Sequence, residues 1–209
     1  MQKERKLLAL PLACLTVLTV YATSVHSETV ITFDDLSAPP RDPFIPTGYQ
    51  GLSWSNFGEA NAILRYNIGQ VDGYYYGMVS PSNVAFNAGG SPAEIGALGT
   101  NFDFLSAYLT GAWNSNLNIE VEGFRSGALL YDTAVVVSVT SPTLFTFDYT
   151  NIDRLYFNSY GGQPAFTPVP EYNFVMDNLT LEFVPEPSSL LLATVGVVLV
   201  WPLLKRKRV

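Results

Sequence analysis

The side chains available for chemistry are restricted in the middle of this 209-residue chain. Cys14 is the only cysteine and His26 the only histidine, and both lie near the N-terminus. Residues 28–184 therefore exclude thiol nucleophiles, Ser-His-Asp triads, disulfides and Cys/His zinc sites. What remains is the chemistry of carboxylates, hydroxyls, amides and aromatic rings.

Two glutamates with strand spacing are the first candidates for catalysis. Glu120 and Glu122 are two residues apart, which places them on one strand face with Cα atoms ~6.5 to 7 Å apart. Paired carboxylates hydrolyse glycosides at separations of about 5 to 9.5 Å. However, alternation with Leu117, Ile119 and Val121 already explains both as the solvated face of a strand. We assign no catalytic residue and keep a carboxylate-dependent glycan hydrolase as an alternative.

Acidic residues also occur within apolar runs near both ends of this region. Alternation places Asp35 on the apolar face of ITFDDL and Asp177 on the apolar face of FVMDNL, and Asp34 can replace Asp35. A carboxylate on the core side is costly unless a cation or hydrogen bonds satisfy it. Calcium suits an all-oxygen site, so we predict a structural calcium ion at these acids. The alternative is that they cap turns or pair with an arginine.

Aromatic side chains are the third candidate group. In GYYYGMV, interpreted as a strand, Tyr74 and Tyr76 share one face and Tyr75 the other. Flat rings with polar edges can stack on sugar rings, so we predict that Tyr74, Tyr76 and Trp113 bind polysaccharide. Packing in the core or at a strand edge is the alternative, because aromatic residues are common in strands.

The elements that position these residues are predicted to be strands. Alternation and turn residues recur across residues 28–184, and Arg125-Ser126-Gly127 predicts a hairpin turn. We predict an all-β fold, a single jelly-roll-like β-sandwich over residues 28–184, with loops at 39–47 and 161–171. The predicted strands, about ten, are VITF, LSWSNF, AILRY, GYYYGMV, VAF, FDFLSAYLT, LNIEVEGF, LLYDTAVVVSV, LFTFDY, RLYFNS and FVMDNLTLEF.

This region resembles the jelly-roll carbohydrate-binding modules. In that family, acids from the first and last strands can meet at a structural calcium. The matching positions here are Asp34 or Asp35 in ITFDDL and Asp177 in FVMDNL.

The N-terminus has the pattern of a secretory signal. Lys3, Arg5 and Lys6 precede an apolar run over residues 7–20, and small residues follow. We predict a signal peptide over residues 1–27. An uncleaved membrane anchor, or lipid attachment at Cys14, are the alternatives.

The C-terminus has the pattern of a membrane anchor. Residues 190–204 are almost entirely apolar and would span about 22 Å as a helix. The cations Lys205, Arg206, Lys207 and Arg208 follow, and they are expected to stay cytoplasmic. We therefore predict a transmembrane helix with the remainder of the chain outside.

Residues 185–209 also resemble a PEP-CTERM sorting signal. Val184, Pro185, Glu186 and Pro187 precede the apolar segment and the basic end. In that family, found in Gram-negative bacteria that export polysaccharide, an exosortase of the inner membrane recognises the motif. The resemblance implies export across the inner membrane, transient anchoring, and transfer to the cell envelope or extracellular matrix.

The charge of the body limits its partners. Residues 28–184 contain sixteen Asp and Glu, four Arg and no Lys, a net charge of 4 − 16 = −12. Such a surface repels nucleic acid. We predict a non-enzymatic exported protein that contacts extracellular polysaccharide, with signal peptidase and exosortase as partners during export. A permanently tail-anchored structural protein is a further alternative.

Overall fold

The alternation in the sequence corresponds to alternating burial in the structure, a computed structural model that describes residues 27–36 and 42–184. Predictions that concern residues 1–26 and 185–209, including the signal peptide, Pro185–Pro187, the apolar helix and Lys205–Arg208, lie outside the described residues. Among the helices that are described, none is long and apolar enough to cross a bilayer.

Strands dominate the described residues, and two short helices interrupt them. The helices are α1 (Ala62–Asn67) and α2 (Gly73–Tyr76). The strands are β1 (Glu28–Ile31), β2 (Leu52–Ser55), β3 (Phe57–Asn61), β4 (Asn83–Asn87), β5 (Ala93–Ala97), β6 (Phe102–Gly111), β7 (Asn114–Ser115), β8 (Leu117–Arg125), β9 (Ala128–Val137), β10 (Thr143–Ile152), β11 (Arg154–Tyr160), β12 (Gln163–Pro164) and β13 (Phe174–Phe183).

Two antiparallel sheets carry the fold. One has the order β10-β6-β13-β4-β3, with β1 paired to β13, and the other has the order β2-β5-β11-β8-β9. The first and last strands are neighbours, with Ile31 opposite Leu179. Ser126 and Gly127 have positive φ angles and form the predicted turn between β8 and β9. The sandwich-like, mostly β architecture is confirmed; the jelly-roll order of its strands stays a prediction.

The hydrophobic core lies between the two sheets. Phe157 of the five-stranded sheet contacts Phe57 and Phe104 of the six-stranded sheet, with ring centroids 5.7 and 6.3 Å apart. Buried residues from both sheets, including Ile119, Leu155, Met176 and Leu181, belong to the same cluster. The inward side chains of both sheets therefore form one core.

Two of the predicted strands are helices instead. AILRY forms α1, and GYYY of GYYYGMV forms α2. Each helix begins at a capping side chain: Asn61 accepts from Leu64 N, and Asp72 accepts from Tyr74 N. Asn and Asp are favoured at this position because they satisfy free N–H groups, so the caps were a signal present in the sequence. The strand β5, with glycine and alanine in AEIGA, was not predicted.

Candidate functional site

The segment 62–80, which contains both helices, covers the part of the outer face of the six-stranded sheet formed by β3, β4, the end of β6 and the start of β13. The outer face is the one turned away from the core. Gly73 N donates to the Ala112 carbonyl at 3.0 Å. A Cβ at Gly73 would lie 1.9 Å from the Gly111 carbonyl oxygen, so only glycine permits this approach. A second buried cluster fills the space between segment and sheet: Ala60, Tyr74, Val84, Phe86, Ala112 and Val175.

Arg65 of α1 links this segment to residue 42 and to the start of α2. Its guanidinium makes ion pairs of 3.1 Å with Asp42 and 3.0 Å with Asp72. It also lies 4.2 Å from the centre of the Tyr74 ring. The side chains of Arg65 and Asp72 are 15% and 5% exposed, so this pair is largely removed from water. Removing one partner would leave the other charge buried.

Four aromatic side chains form a continuous row on the surface of this region. The rings of Tyr66 and Tyr75 stack at 4.5 Å, those of Tyr75 and Tyr76 meet at 5.7 Å, and Tyr76 stacks on Phe166 at 6.2 Å. Tyr66 is 47% and Phe166 39% exposed, and the two rings between them are partly exposed. We call these four residues the aromatic row. It combines accessible apolar ring surface with tyrosine hydroxyl groups.

The predicted sugar-binding residues fall in different environments. Tyr76 belongs to the aromatic row. Tyr74 is 4% exposed and packs edge-on against Phe86 at 5.2 Å, so its ring has no free face. Placing it beside Tyr76 on a strand face was wrong because the segment is a helix. Trp113 is partly buried, and its ring centroid lies 5.6 Å from that of Tyr74. Its backbone carbonyl accepts hydrogen bonds from the backbone N–H groups of Ala165 and Phe166.

Sequence reasoning missed three members of the row. Tyr75 was placed on the strand face opposite Tyr76. Tyr66 was assigned to a strand, and Phe166 to a loop without a role. The backbone hydrogen bonds to Trp113 bring Phe166 to Tyr76, and this long-range contact has no local signal. The position of Tyr66 beside Tyr75 depends on the two capped helices, so recognising the caps would have helped to find it.

Asp177 is fully buried, but its carboxylate is already satisfied by hydrogen bonds. Oδ2 accepts from the backbone N–H groups of Val79 at 2.6 Å and Ser80 at 2.9 Å. Oδ1 accepts from Ser80 Oγ at 3.1 Å and Asn178 N at 2.7 Å. Burial raises the pKa of the Asp177 carboxyl, and these hydrogen bonds oppose that rise. A carboxylate has about four lone-pair positions, so these four donors satisfy it.

The predicted orientation of Asp177 was wrong. Val175 belongs to the cluster under segment 62–80, whereas Leu179 belongs to the main core. A β-bulge follows Asp177, and Asn178 has a φ of 48°. The bulge inserts a residue and reverses the alternation, so Asp177 points outward beneath residues 79 and 80.

Asp34 and Asp35 have separate partners. Asp34 accepts from Asn83 N at 2.9 Å. Asp35 accepts from the Tyr49 hydroxyl at 2.6 Å, and burial of Tyr49, followed by this hydrogen bond, raises the tyrosine pKa. The strand ends at Ile31, so alternation does not continue to these acids. Within the described residues, no group of three or more neighbouring Asp, Glu, His or Cys side chains includes either acid or Asp177. The calcium site stays a prediction.

The outer face of the five-stranded sheet carries a carboxylate cluster. Oxygens of Glu120, Glu122 and Asp132 lie within 4.8 Å of one another. Partial burial, followed by repulsion from Glu120 and Asp132, raises the pKa of the Glu122 carboxyl, and Arg154 opposes the rise. Both glutamates are partly exposed, as the alternation predicted. Asp132 was missed, because only the register of β8 and β9 places it opposite Glu122.

This face is uncovered over the described strands, and we call it the bare face. Tyr156 lies opposite Glu122, and Asn158 donates a 3.3 Å hydrogen bond to Glu120. Arg154 pairs with Glu94 at 2.9 Å, and both side chains remain about one-third or more exposed. The face is polar and acidic with single tyrosines, unlike the continuous ring contacts of the aromatic row.

No protein-family model and no curated protein matches the chain. Among the solved structures that are similar to the chain in part are two carbohydrate-binding modules. A family 16 carbohydrate-binding module has 16% identity and a TM-score of 0.31, covering 61% of this chain and 85% of its own. TmCBM61, in complex with β-1,4-galactotriose, has 10% identity and a TM-score of 0.28, covering 68% and 93%.

Proposed function

We propose that this protein is an exported, non-catalytic β-sandwich that binds extracellular polysaccharide along the aromatic row. The observation that carries the proposal is the unbroken series of ring contacts from Tyr66 to Phe166, with both end rings exposed. Aromatic rings with a polar edge suit a ligand that is apolar on the faces of its sugar rings and polar at their rims.

The charge of the body restricts the polysaccharide. Residues 28–184 carry a net charge of −12, from sixteen acids and four arginines. Arg65, which lies beside the row, is already paired with Asp42 and Asp72, so its charge is not free to bind an anionic ligand. An anionic polymer would be repelled, and we therefore propose a neutral polysaccharide as the ligand.

Export is proposed from the terminal sequences alone. The signal-like residues 1–27 and the PEP-CTERM-like residues 185–209 support signal peptidase and exosortase as partners, with the envelope or matrix as destination. The intact mass of protein recovered from a host with an exosortase tests this. Loss of both terminal segments is expected, and recovery of a chain that retains Lys205–Arg208 would contradict processing.

Affinity electrophoresis tests the binding proposal. Gels would contain β-1,4-galactan, a soluble β-glucan, or the anionic polygalacturonate. Retardation is expected in a neutral gel and not in polygalacturonate. Tyr66→Ala and Phe166→Ala should each weaken retardation about tenfold, because each removes an exposed ring.

Tyr160→Ala is the matched control. Tyr160 is 45% exposed, close to the 47% of Tyr66, but lies at the end of β11, outside the row. Its replacement should leave binding unchanged. A loss in Tyr160→Ala with no loss in Tyr66→Ala would move the binding site to the bare face and contradict the proposal.

A glycan hydrolase is the second candidate, because of the carboxylate cluster. One oxygen of each of Glu120, Glu122 and Asp132 lies within 4.8 Å of the others, and retaining glycosidases hold two carboxyl groups about 5 Å apart. Reducing-sugar release from the same polysaccharides would support it if Glu122→Gln abolished the release. Retardation without release favours the binding module.

A further inference from the structure

One sheet edge in the described residues is long, regular and uncovered. The five-stranded sheet ends at β9, which pairs with β8 on one side. Most of its ten side chains are exposed, including Leu129 and Leu130 at 49% and Val136 at 56%. The backbone N–H and C=O groups on the outer side of such a strand are available to another strand.

The other edges differ from β9. The edge strand β10 has two register irregularities, and its Asp148 and Asn151 have positive φ angles. The β3 edge is covered by residues 43–45, since Ile45 N donates to Phe57 O and Glu59 N donates to Pro43 O, both at 2.9 Å. The β1 and β2 edges have only four residues each. Bulges, cover and short length are the usual ways in which proteins block edge-to-edge pairing.

The sequence of β9 has few of the usual blocking residues. ALLYDTAVVV contains no proline or lysine, and Asp132 is its only charged residue. Its irregularity lies beside the turn, between the pairs of Gly123 and Phe124, and the strand is regular from Tyr131 to Val137. It is also rich in β-branched residues, which favour strand pairing.

We infer that β9 is a self-association strand, which pairs antiparallel with β9 of a second copy of this chain. A two-fold axis at Thr133 places Asp132 opposite the second copy's Ala134 and Tyr131 opposite its Val135. An axis at Asp132 would instead oppose two carboxylates, which is unfavourable. The result is one continuous sheet with a closed, isologous contact. The inference is independent of polysaccharide binding.

The acidic cluster beside the edge predicts how this dimer responds to salt. Pairing brings two Glu120–Glu122–Asp132 clusters towards each other across the axis. Salt screens their repulsion, so the dimer fraction should rise with ionic strength. A dimer that weakens as salt increases would indicate association through opposite charges and would overturn the inference.

Cysteine cross-linking tests the register on the full-length chain in a cell extract. The background is Cys14→Ser, so that Thr133→Cys supplies the only thiol. Opposed residues have Cα atoms about 4.5 to 5.5 Å apart, within the range of a disulfide. A single dimer band that disappears on reduction is expected. Thr143→Cys, exposed on the interrupted β10 edge, should stay monomeric. Equal cross-linking at both positions, none at 133, or an open-ended ladder would overturn the inference.

A charge reversal at the opposed position tests the pairing, and the melting temperatures of both variants are compared because Ala134 also lies opposite Glu120 of its own chain. In the Thr133→Cys background, Ala134→Lys faces Asp132 of the second copy, whereas Ala134→Glu places a carboxylate there. Both changes are at one exposed position. Cross-linking should be at least about tenfold greater with lysine. The same two residues at the exposed Thr146 of β10 control for net charge. No difference at 134, or an equal difference at 146, would overturn the inference.

Discussion

The outer faces of the two sheets differ in burial, and the difference can be traced to the outward residues. On β8, burial alternates along the strand, with Glu120 and Glu122 outward and partly exposed. On β4, all five residues are buried, because Phe86 and Val84 point outward into the cluster beneath segment 62–80. Apolar side chains that point outward from a sheet are buried beneath another segment of the chain, whereas charged side chains that point outward remain in contact with solvent.

The same contrast separates two arginines. Arg65 and Arg154 each make ion pairs and lie over an aromatic ring, at 4.2 Å from the Tyr74 ring centre and 3.9 Å from that of Phe124. Arg65 is 15% exposed and its partner Asp72 5%, whereas Arg154 and Glu94 are 34% and 40% exposed. Similar contacts should therefore contribute very different free energies on the two faces.

Exchanging each arginine for methionine is the strongest test of this comparison. Methionine keeps much of the apolar side chain and removes the charge. Arg65→Met should lower the free energy of unfolding by about 3 kcal/mol, because Asp72 stays buried without its cation. Arg154→Met should lower it by less than about 1 kcal/mol. Urea denaturation of both variants measures this. Equal losses would show that the cover does not isolate its ion pair from water.

Asp177 offers a second test, because it attaches the end of the cover to the sheet. Asp177→Asn should lower the free energy of unfolding by about 2 kcal/mol, since an amide cannot accept from all four donors. Asp132→Asn on the bare face should be neutral or slightly stabilising, because it removes a charge from the carboxylate cluster.

Thermal melting in chelator and in millimolar calcium completes this experiment. If the hydrogen bonds alone satisfy Asp177, the wild-type protein should melt at the same temperature in both solutions. A calcium-dependent increase that Asp177→Asn abolishes would support the predicted metal site instead.

The predictable part of the fold is the part with local repetition. Alternation in Leu117–Val121 identified β8, and Ser126-Gly127 identified the hairpin turn. Alternation failed at Asp177, because a bulge depends on how neighbouring strands pair and not on the strand's own sequence. It also failed at Tyr74–Tyr76, where a four-residue helix is too short to show a helical period.

The candidate site was less predictable than the fold. Tyr76 was selected for its residue type and for a strand interpretation that was wrong, and its neighbour Phe166 is ninety residues away in sequence. The third member of the carboxylate cluster, Asp132, depends on the register of a hairpin whose bulge adds one residue. Residue types therefore indicated the chemistry, while the grouping depended on long-range contacts.

The smallest expected effect concerns the bare face itself. Glu122→Gln should raise the free energy of unfolding at pH 7 by about 0.2 to 1 kcal/mol, because Glu122 lies opposite Asp132 and near Glu120. The folded-state pKa of Glu122 is raised. The wild-type protein therefore becomes less stable as pH rises from about 4.3, the ordinary glutamate pKa, through the folded-state value. The advantage of the variant should therefore be present at neutral pH, disappear in acid where Glu122 is protonated, and shrink in high salt.

Glu94→Gln is the control of opposite sign, because it removes the partner of Arg154. Melting curves across pH measure both, and an advantage for Glu122→Gln that is independent of pH would show that repulsion within the cluster is not its cause.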